Sequence, residues 1–442
     1  MCSIIPLKND LFFAILGSMK LIDQYRGLRK EIYILVFGRM VTALGSMVWP
    51  IMTMILNQKM GLTASEISFY FVAVSLISLP SNLIGGKLAD RVNKKRLIVI
   101  CDGISIICFV ICALIPLSMM SLSLFILAGI IQGLENPAYE ALVADLSTTK
   151  EREKAFSLSY LGWNLGMVLS PTLAGILFQD HLWLCFLISG VSVGISTLLI
   201  GLKIRDITPV EDTDDAAVYQ EKKEGIGLFR ILKENPMLFL YLLGATLFAS
   251  AYNQYTFIMP LDMSAVHGDS GALIYGTVSS LNCIVVVLFT PLITKLFAKL
   301  RDTGKMLTSR LLVFAGYMVF LLLTGFIPGY YMAMLVFTWG EIFDSISAEP
   351  YITVRIPASH RGRINGFMSV AYTLVCGGFD LAVGHLYDRT GSGSAWALIL
   401  GITLVSAVLT VVLKVRDKKA YPKLYQSGAE NKGDNGAEKP KV

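Results

Sequence analysis

The sequence predicts an all-α membrane protein, twelve transmembrane helices in two six-helix pseudo-repeated halves, and three observations carry that prediction. The 442 residues are 54% hydrophobic and only 16% charged, with a mean hydropathy of +0.63, against about 45–50% and 25% in ordinary globular chains. Twelve predominantly apolar runs follow one another, each about as long as a bilayer core requires. Finally, every Lys and Arg except Arg39, Lys59 and Arg389 falls in the odd-numbered set of connecting segments, counting the amino-terminal tail as the first. A soluble fold of this size could not hide so much apolar surface. A nucleic-acid partner would not produce charge that alternates with the loops, so none is expected.

The runs cover 31–56, 66–88, 97–116, 121–145, 154–178, 182–202, 237–262, 274–297, 306–327, 331–356, 363–387 and 394–415. Turn residues punctuate them, among them Gly61, Pro116, Pro328-Gly329 and Gly391-Ser392-Gly393. In lipid the backbone must satisfy its own hydrogen bonds, so runs of this length are helices rather than isolated strands. The positive-inside rule makes the basic side cytoplasmic and puts both termini there, in a multi-pass cell (plasma or inner) membrane protein.

Residues 1–30 form a cytoplasmic amino-terminal segment. The short apolar stretch 11–17 cannot span a bilayer, Lys8-Asn9-Asp10 before it matches a signal peptide poorly, and Met19 offers an alternative start. Residues 31–202 form the first six-helix half. Residues 203–236 are a polar cytoplasmic linker containing Glu211-Asp212-Thr213-Asp214-Asp215, 237–415 the second half, and 416–442 a polar tail expected to be disordered. Glu135-Asn136-Pro137 in run 4 and Glu349-Pro350 in run 10, followed by Arg152…Phe156 and Arg363…Phe367, show a weak repeat. Transporters are commonly built from such repeats, with the site near mid-membrane.

A charge at the centre of a membrane helix costs about 2.5–3.5 kcal/mol on insertion scales, so each needs a partner or a wet cavity. Arg39 is the one base placed at that depth, Arg310 being counted with the 295–310 loop. The acids are Glu135 and Glu140 in run 4, Glu341, Asp344 and Glu349 in run 10, and Asp380 in run 11, with Asp102 and Asp145 nearer helix ends. At about 100° per residue, Glu341, Asp344 and Glu349 share one broad helix face. Burial disfavours the charged form of a carboxyl, so such acids suit proton uptake and release. Glu341, Glu135, Glu349 and Asp344 are the proton-coupling candidates, the alternative for each being a structural salt bridge or hydrogen bond. Arg39, Trp163, Asn164, Tyr252, Asn253 and Trp339 are the substrate-binding candidates, since aromatic and amide groups at mid-span suit apolar or cationic compounds. They equally suit packing and interface belts.

Seven cysteines accompany no CxxC pair or His cluster, so neither a disulfide framework nor a metal site is indicated. There is no GxxxxGK[ST] loop, so ATP does not drive the protein directly, and no convincing nucleophile–base pairing, so it is not read as an enzyme. No cofactor is expected beyond a proton gradient. The expected partners are a small-molecule substrate and the lipid bilayer, with the chain acting as a monomer.

Two segments carry a family resemblance. Gly86-Lys87-Leu88-Ala89-Asp90-Arg91-Val92-Asn93-Lys94-Lys95-Arg96 resembles the signature loop between helices 2 and 3 of the major facilitator superfamily, with Asn93 where glycine is usual. The resemblance implies a cytoplasmic latch of Gly86, Asp90, Arg91, Lys94 and Asp145, in which Asp90 faces the start of helix 11 at 362–366 and Lys94 meets Asp145. Read on its residues alone, the segment is a basic loop in which Gly86 permits close helix packing and Asn93 takes a tight turn, where asparagine tolerates a left-handed backbone. In run 5, Gly166-Met167-Val168-Leu169-Ser170-Pro171-Thr172-Leu173-Ala174-Gly175 is similar to that superfamily's antiporter motif through Gly166, Ser170, Pro171 and Gly175. Ordinary small-residue packing is the plainer reading. Gly129 stands where the same branch carries arginine. Gly340-Glu341 is similar to multidrug exporters that use a membrane acid there. The resemblance spans 31–415 and implies proton-coupled export of hydrophobic or cationic compounds by alternating access; an importer or facilitator of a metabolite with the same fold remains the alternative.

Overall fold

A computed structural model describes residues 25–204, 236–355 and 361–421. The predicted amino-terminal segment up to residue 24, nearly all of the linker and the tail beyond 421 lie outside the described residues, as do the side chains of Asp90, Glu349 and 361–366. The described residues are helical throughout, joined by short turns. The helices of eight residues or more are α1 (Lys30–Gly45), α2 (Ala64–Arg91), α3 (Lys94–Leu114), α4 (Met119–Asp145), α5 (Thr149–Met167), α6 (Ser170–Leu177), α7 (Leu182–Lys203), α8 (Pro236–Tyr252), α9 (Gln254–His267), α10 (Gly271–Leu296), α11 (Asp302–Leu322), α12 (Ile327–Ser345), α13 (Ala348–Arg355), α14 (Arg361–Thr390) and α15 (Ser392–Ala420), with short helical turns at Met52–Met54, Ile55–Lys59 and Gly268–Ser270.

Each apolar run falls largely on described helix, but four are broken in two. Run 1 stops at Gly45 before Pro50, and run 5 breaks at Val168-Leu169 so that Pro171 sits in the first turn of α6, where its missing N–H is not needed. Run 10 breaks at Ile346-Ser347 ahead of Pro350. Run 7 breaks at Asn253 with no proline there: the Tyr317 hydroxyl, 2.9 Å from the carbonyls of both Ala251 and Tyr252, serves the acceptors that the break leaves over. Among the described residues eight helical stretches are long and apolar enough to cross a membrane, runs 7 and 8 merging into Pro236–Leu296 and runs 1, 5 and 10 not being among them.

Helix starts follow local chemistry. Asn93 is extended (φ −62°, ψ 116°), not left-handed, and its side chain accepts the Arg96 N–H at 3.1 Å as the cap of α3. The turn expected of Asn93 is thus a helix cap, which an asparagine fills without any left-handed residue. Ser118 with Ser121, and Thr148 with Glu151, form capping boxes for α4 and α5.

The chain forms two compact units. The first takes its described residues from Met1–Met52, Leu76–Ala217 and Tyr275–Val287. Its inner layer joins Ile32 and Leu35 of α1, Ile98 and Cys101 of α3, and Tyr139 and Leu142 of α4. Small residues set the spacing: a Cβ on Gly166 would lie 2.2 Å from the Met40 carbonyl oxygen, one on Gly45 2.4 Å from Ser192, and one on Gly276 2.2 Å from the Pro171 carbonyl oxygen. The close approach expected of Gly86 belongs to Gly85, where a Cβ would lie 2.1 Å from the Leu134 carbonyl oxygen, while a Cβ on Gly86 meets nothing within 4 Å. Gly85→Val is therefore expected to destabilise the protein by about 1–3 kcal/mol through overpacking, and Gly86→Ala to be neutral, as read by thermal unfolding in detergent.

The second unit takes its described residues from Thr53–Ser75, Val218–Ile274 and Leu288–Val442. Its core includes Leu238, Tyr241, Met306, Tyr351 and Leu413, with the Tyr241 and Tyr351 rings stacked at 4.8 Å. Arg355 binds the wholly buried Asp417 through two nitrogens, at 3.0 and 2.5 Å, and the Tyr351 hydroxyl donates to the same carboxylate at 2.8 Å. At the start of α2, Asp388 of α14 accepts the Ala64 N–H at 3.0 Å and the Ser65 N–H at 2.7 Å. A carboxylate satisfies the orphan donors of a first turn and suits its positive dipole end. Charge-assisted bonds are worth about 1.5–3 kcal/mol, so Asp388→Ala is expected to speed hydrogen exchange at Ala64 and Ser65 by about ten- to a hundredfold.

Candidate functional site

In the first unit α1, α3, α4, α5 and α7 enclose a cavity of about 280 Å³ that Arg39, Trp49, Asp102, Gln132, Glu135 and Trp163 help to line. A neighbouring cavity of about 240 Å³ shares Arg39, Tyr139 and Trp163 and adds Glu140 and Tyr160. The Arg39 guanidinium lies 5.0 Å from the Tyr139 ring and 5.4 Å from the Trp163 ring, within cation–π reach of both. The Thr197 hydroxyl lies 2.6 Å from Asp102 Oδ2. The Glu135 carboxyl is within hydrogen-bonding reach of the Asp102 carboxyl, and its Oε2 is shut off from solvent with no donor upon it among the described residues. A Cβ on Gly129 would lie 3.0 Å from the Trp49 ring, so a larger side chain there would crowd it out. Arg39, Glu135 and Trp163 are thus brought together. Asn164 is not, its amide donating to the Tyr160 carbonyl one turn back at 2.9 Å.

In the second unit Glu341 of α12 meets the Tyr252 hydroxyl at the end of α8. Around that contact Tyr252 stacks on Phe337 (5.1 Å, 17°), Tyr255 lies 5.3 Å from Tyr252 and 5.4 Å from Phe337, and Tyr317 lies 5.3 Å from Phe337. Asn253 donates to the Tyr372 hydroxyl at 2.7 Å. Asp380 accepts from Gln254 at 2.6 Å. Trp339 is 43% exposed, with the Phe289 ring at 6.1 Å. Asp344 is ion-paired with Arg310, which also donates to the Met306 carbonyl and packs its guanidinium 4.1 Å from the Phe248 ring centre. Arg310 is only 2% exposed. It is therefore a buried base, not the loop residue that counting it with 295–310 made it; α11 begins at Asp302 and carries it inward. An acid at the depth of Asp344 is itself a sequence signal that a base has to be near. The side chain of Glu349 lies outside the described residues.

Lys94 at the start of α3 and Asp145 at the end of α4 form an ion pair at 2.8 Å, the contact that the family resemblance implies. Arg91 is exposed. In the α5–α6 segment Gly166 makes the close approach to α1 described above, Ser170, Pro171 and Gly175 are buried, and the Ser170 hydroxyl has no hydrogen-bond partner among the described residues. Among the acids that the sequence did not single out are Asp388, the cap of α2, and Asp262, which accepts from Tyr387 at 2.9 Å, from Ser392 at 2.7 Å and from the Trp396 indole. Among the described residues no group of three or more His, Cys, Asp or Glu could hold a metal ion.

Residues 35–379 match the family model of the Major Facilitator Superfamily. The chain belongs to that superfamily. It is a multi-pass membrane transporter. It is 25% identical over 358 residues to a Na(+), Li(+), K(+)/H(+) antiporter of Planococcus maritimus, covering 74% of this chain and 82% of that one. It is also 27% identical over 179 residues to the quinolone resistance protein NorA of Staphylococcus aureus, covering 40% and 45% of the two chains. Among solved structures it is similar to a peptide transporter POT in complex with sulfate (TM-score 0.72, 15% identity, 89% and 95% covered) and to the nucleoside transporter NupG (TM-score 0.68, 13% identity, 87% and 100% covered). At such identity these two structures speak for the fold alone.

Proposed function

We propose that this transporter exports small organic cations and other hydrophobic compounds in exchange for protons, by alternating access. The observation that carries the reading is Glu341, a membrane-depth carboxyl set against Tyr252 among Tyr255, Phe337 and Tyr317. Aromatic faces attract a cation and the carboxyl gives it a counter-charge. When the carboxyl is protonated, that counter-charge is gone and the cation leaves. A proton gradient thus drives the exchange with no other cofactor. The similarity to NorA supports efflux. Twelve crossings, cytoplasmic termini, a plasma- or inner-membrane location and action as a monomer belong to the same proposal. So do a cytoplasmic latch of Asp90, Lys94 and Asp145 and the helix-breaking antiporter motif at Pro171. Asp344, held by Arg310, serves in this reading as an anchor for α12 rather than a proton carrier.

Everted membrane vesicles energised with a proton gradient test the proposal. Ethidium is expected to accumulate inside them and to escape when a protonophore is added; ethidium movement indifferent to the protonophore would point instead to a facilitator. A second reading, exchange of alkali-metal ions for protons, is favoured by the similarity to the Planococcus antiporter. It is separated by dissipation of the same gradient on addition of sodium or lithium chloride.

A further inference from the structure

The carboxyls of Asp102 on α3 and Glu135 on α4 approach one another inside the first unit. Two ionised carboxylates are both acceptors, and no hydrogen bond forms between them. Such an approach becomes a bond only when one of the two carries a proton, and like charges this close do not both ionise. Glu135 Oε2 points the same way, since it is enclosed and meets no donor from the described residues. Thr197 is placed at Asp102 Oδ2, 2.6 Å away, and is the neutral group that α7 contributes. Among the described residues the charged and titratable groups facing the pair are Arg39 from α1, Cys101 from α3 itself and Tyr139 from α4. Of these only Arg39 brings a positive charge, and it shares the cavity with both acids.

We propose that Asp102 and Glu135 form a second exchange site, distinct from Glu341, in which one shared proton trades places with one monovalent cation. The proposal rests on the proton-coupled reading above and adds where a second proton is held. Its charge balance is closed in both states. With the proton on, the pair carries one negative charge and Arg39 one positive. When the proton leaves to water, the pair carries two negative charges, met by Arg39 and by the entering cation. The cavity therefore never holds a net charge, which its apolar surroundings would penalise. Trp49 and Trp163 in its wall offer ring faces to an organic cation.

The test is read in binding alone, without a gradient, so that its failure is separable from failure of the export reading. Purified protein in weakly buffered lipid nanodiscs receives ethidium in one arm and sodium chloride in the other, in the Glu341→Gln background so that only this site reports. About one proton should appear per cation bound, and binding should tighten about tenfold per pH unit over the range of release. Adding Asp102→Asn leaves a single carboxylate already balanced by Arg39, so binding should release no proton and lose its pH dependence. Glu135→Gln should do the same, and the double variant no more than either alone, because a shared proton is lost only once. Release by ethidium identifies the occupant as an organic cation, and release by sodium alone as an alkali-metal ion. Should neither cation release a proton, or should Asp102→Asn and Glu135→Gln each leave the release unchanged, the pair is structural and the proposal falls. If one variant fails to fold, the other decides.

Discussion

Glu341→Gln is expected to cut proton-driven ethidium export in vesicles about ten- to a hundredfold while leaving the protein folded. The substitution keeps the shape of the side chain and its capacity to bond the Tyr252 hydroxyl, so the stacked Tyr252–Phe337 pair has no reason to move. What disappears is the charge. A charge-assisted contact is worth about 1.5–3 kcal/mol, so affinity for a monocation should fall about ten- to a hundredfold. The pH dependence carried by this site should vanish with it, because an amide neither binds nor releases a proton in the working range. Residual transport that still responds to a protonophore should be lost when Asp102→Asn is added. Wild-type rates in the variant, with protonophore sensitivity intact, would remove Glu341 from the mechanism. Tyr252→Phe offers a complementary result: the aromatic stack survives, the hydroxyl partner is lost, and affinity should change less than with Glu341→Gln.

The positions of the helices were legible because lipid imposes a rule that few residues escape: about 20 apolar residues per crossing, and basic residues on one side. The four breaks were legible only in part. Pro50, Pro171 and Pro350 announce three of them, whereas the break at Asn253 is held by Tyr317, more than sixty residues away, and no local residue reports it. Phase was harder than position. Gly85 and Gly86 are neighbours about 100° apart on one helix, and only packing reveals which faces α4. The same limit hid the partner of Glu135. Asp102 lies on a different helix, and the rotation that turns the two carboxyls toward each other is set by how α3 and α4 pack. Asn93 was misread for another reason, because the residue suits both a left-handed turn and a helix cap, and here the cap prevails.

Arg310→Ala tests the opposite kind of buried charge, one that holds the fold rather than moves a proton. Arg310 is enclosed by the Asp344 carboxylate, the Met306 carbonyl and the Phe248 ring. Removing one partner of a buried ion pair leaves the other charge uncompensated in a poor solvent, which typically costs about 3–5 kcal/mol. Marginal stability makes a loss of that size a large share of the total, so Arg310→Ala should unfold in detergent well below the parent's temperature and reach the membrane in reduced amount. Arg310→Ala combined with Asp344→Ala should recover part of the loss, since no charge is then stranded and only packing is missing. This rescue separates the two roles an intramembrane acid can have. If Asp344 is an anchor, export by the stable fraction of an Asp344→Asn variant stays proton-driven; if that fraction folds normally but has lost its coupling, Asp344 belongs with Glu341 and Arg310 serves to set when it ionises.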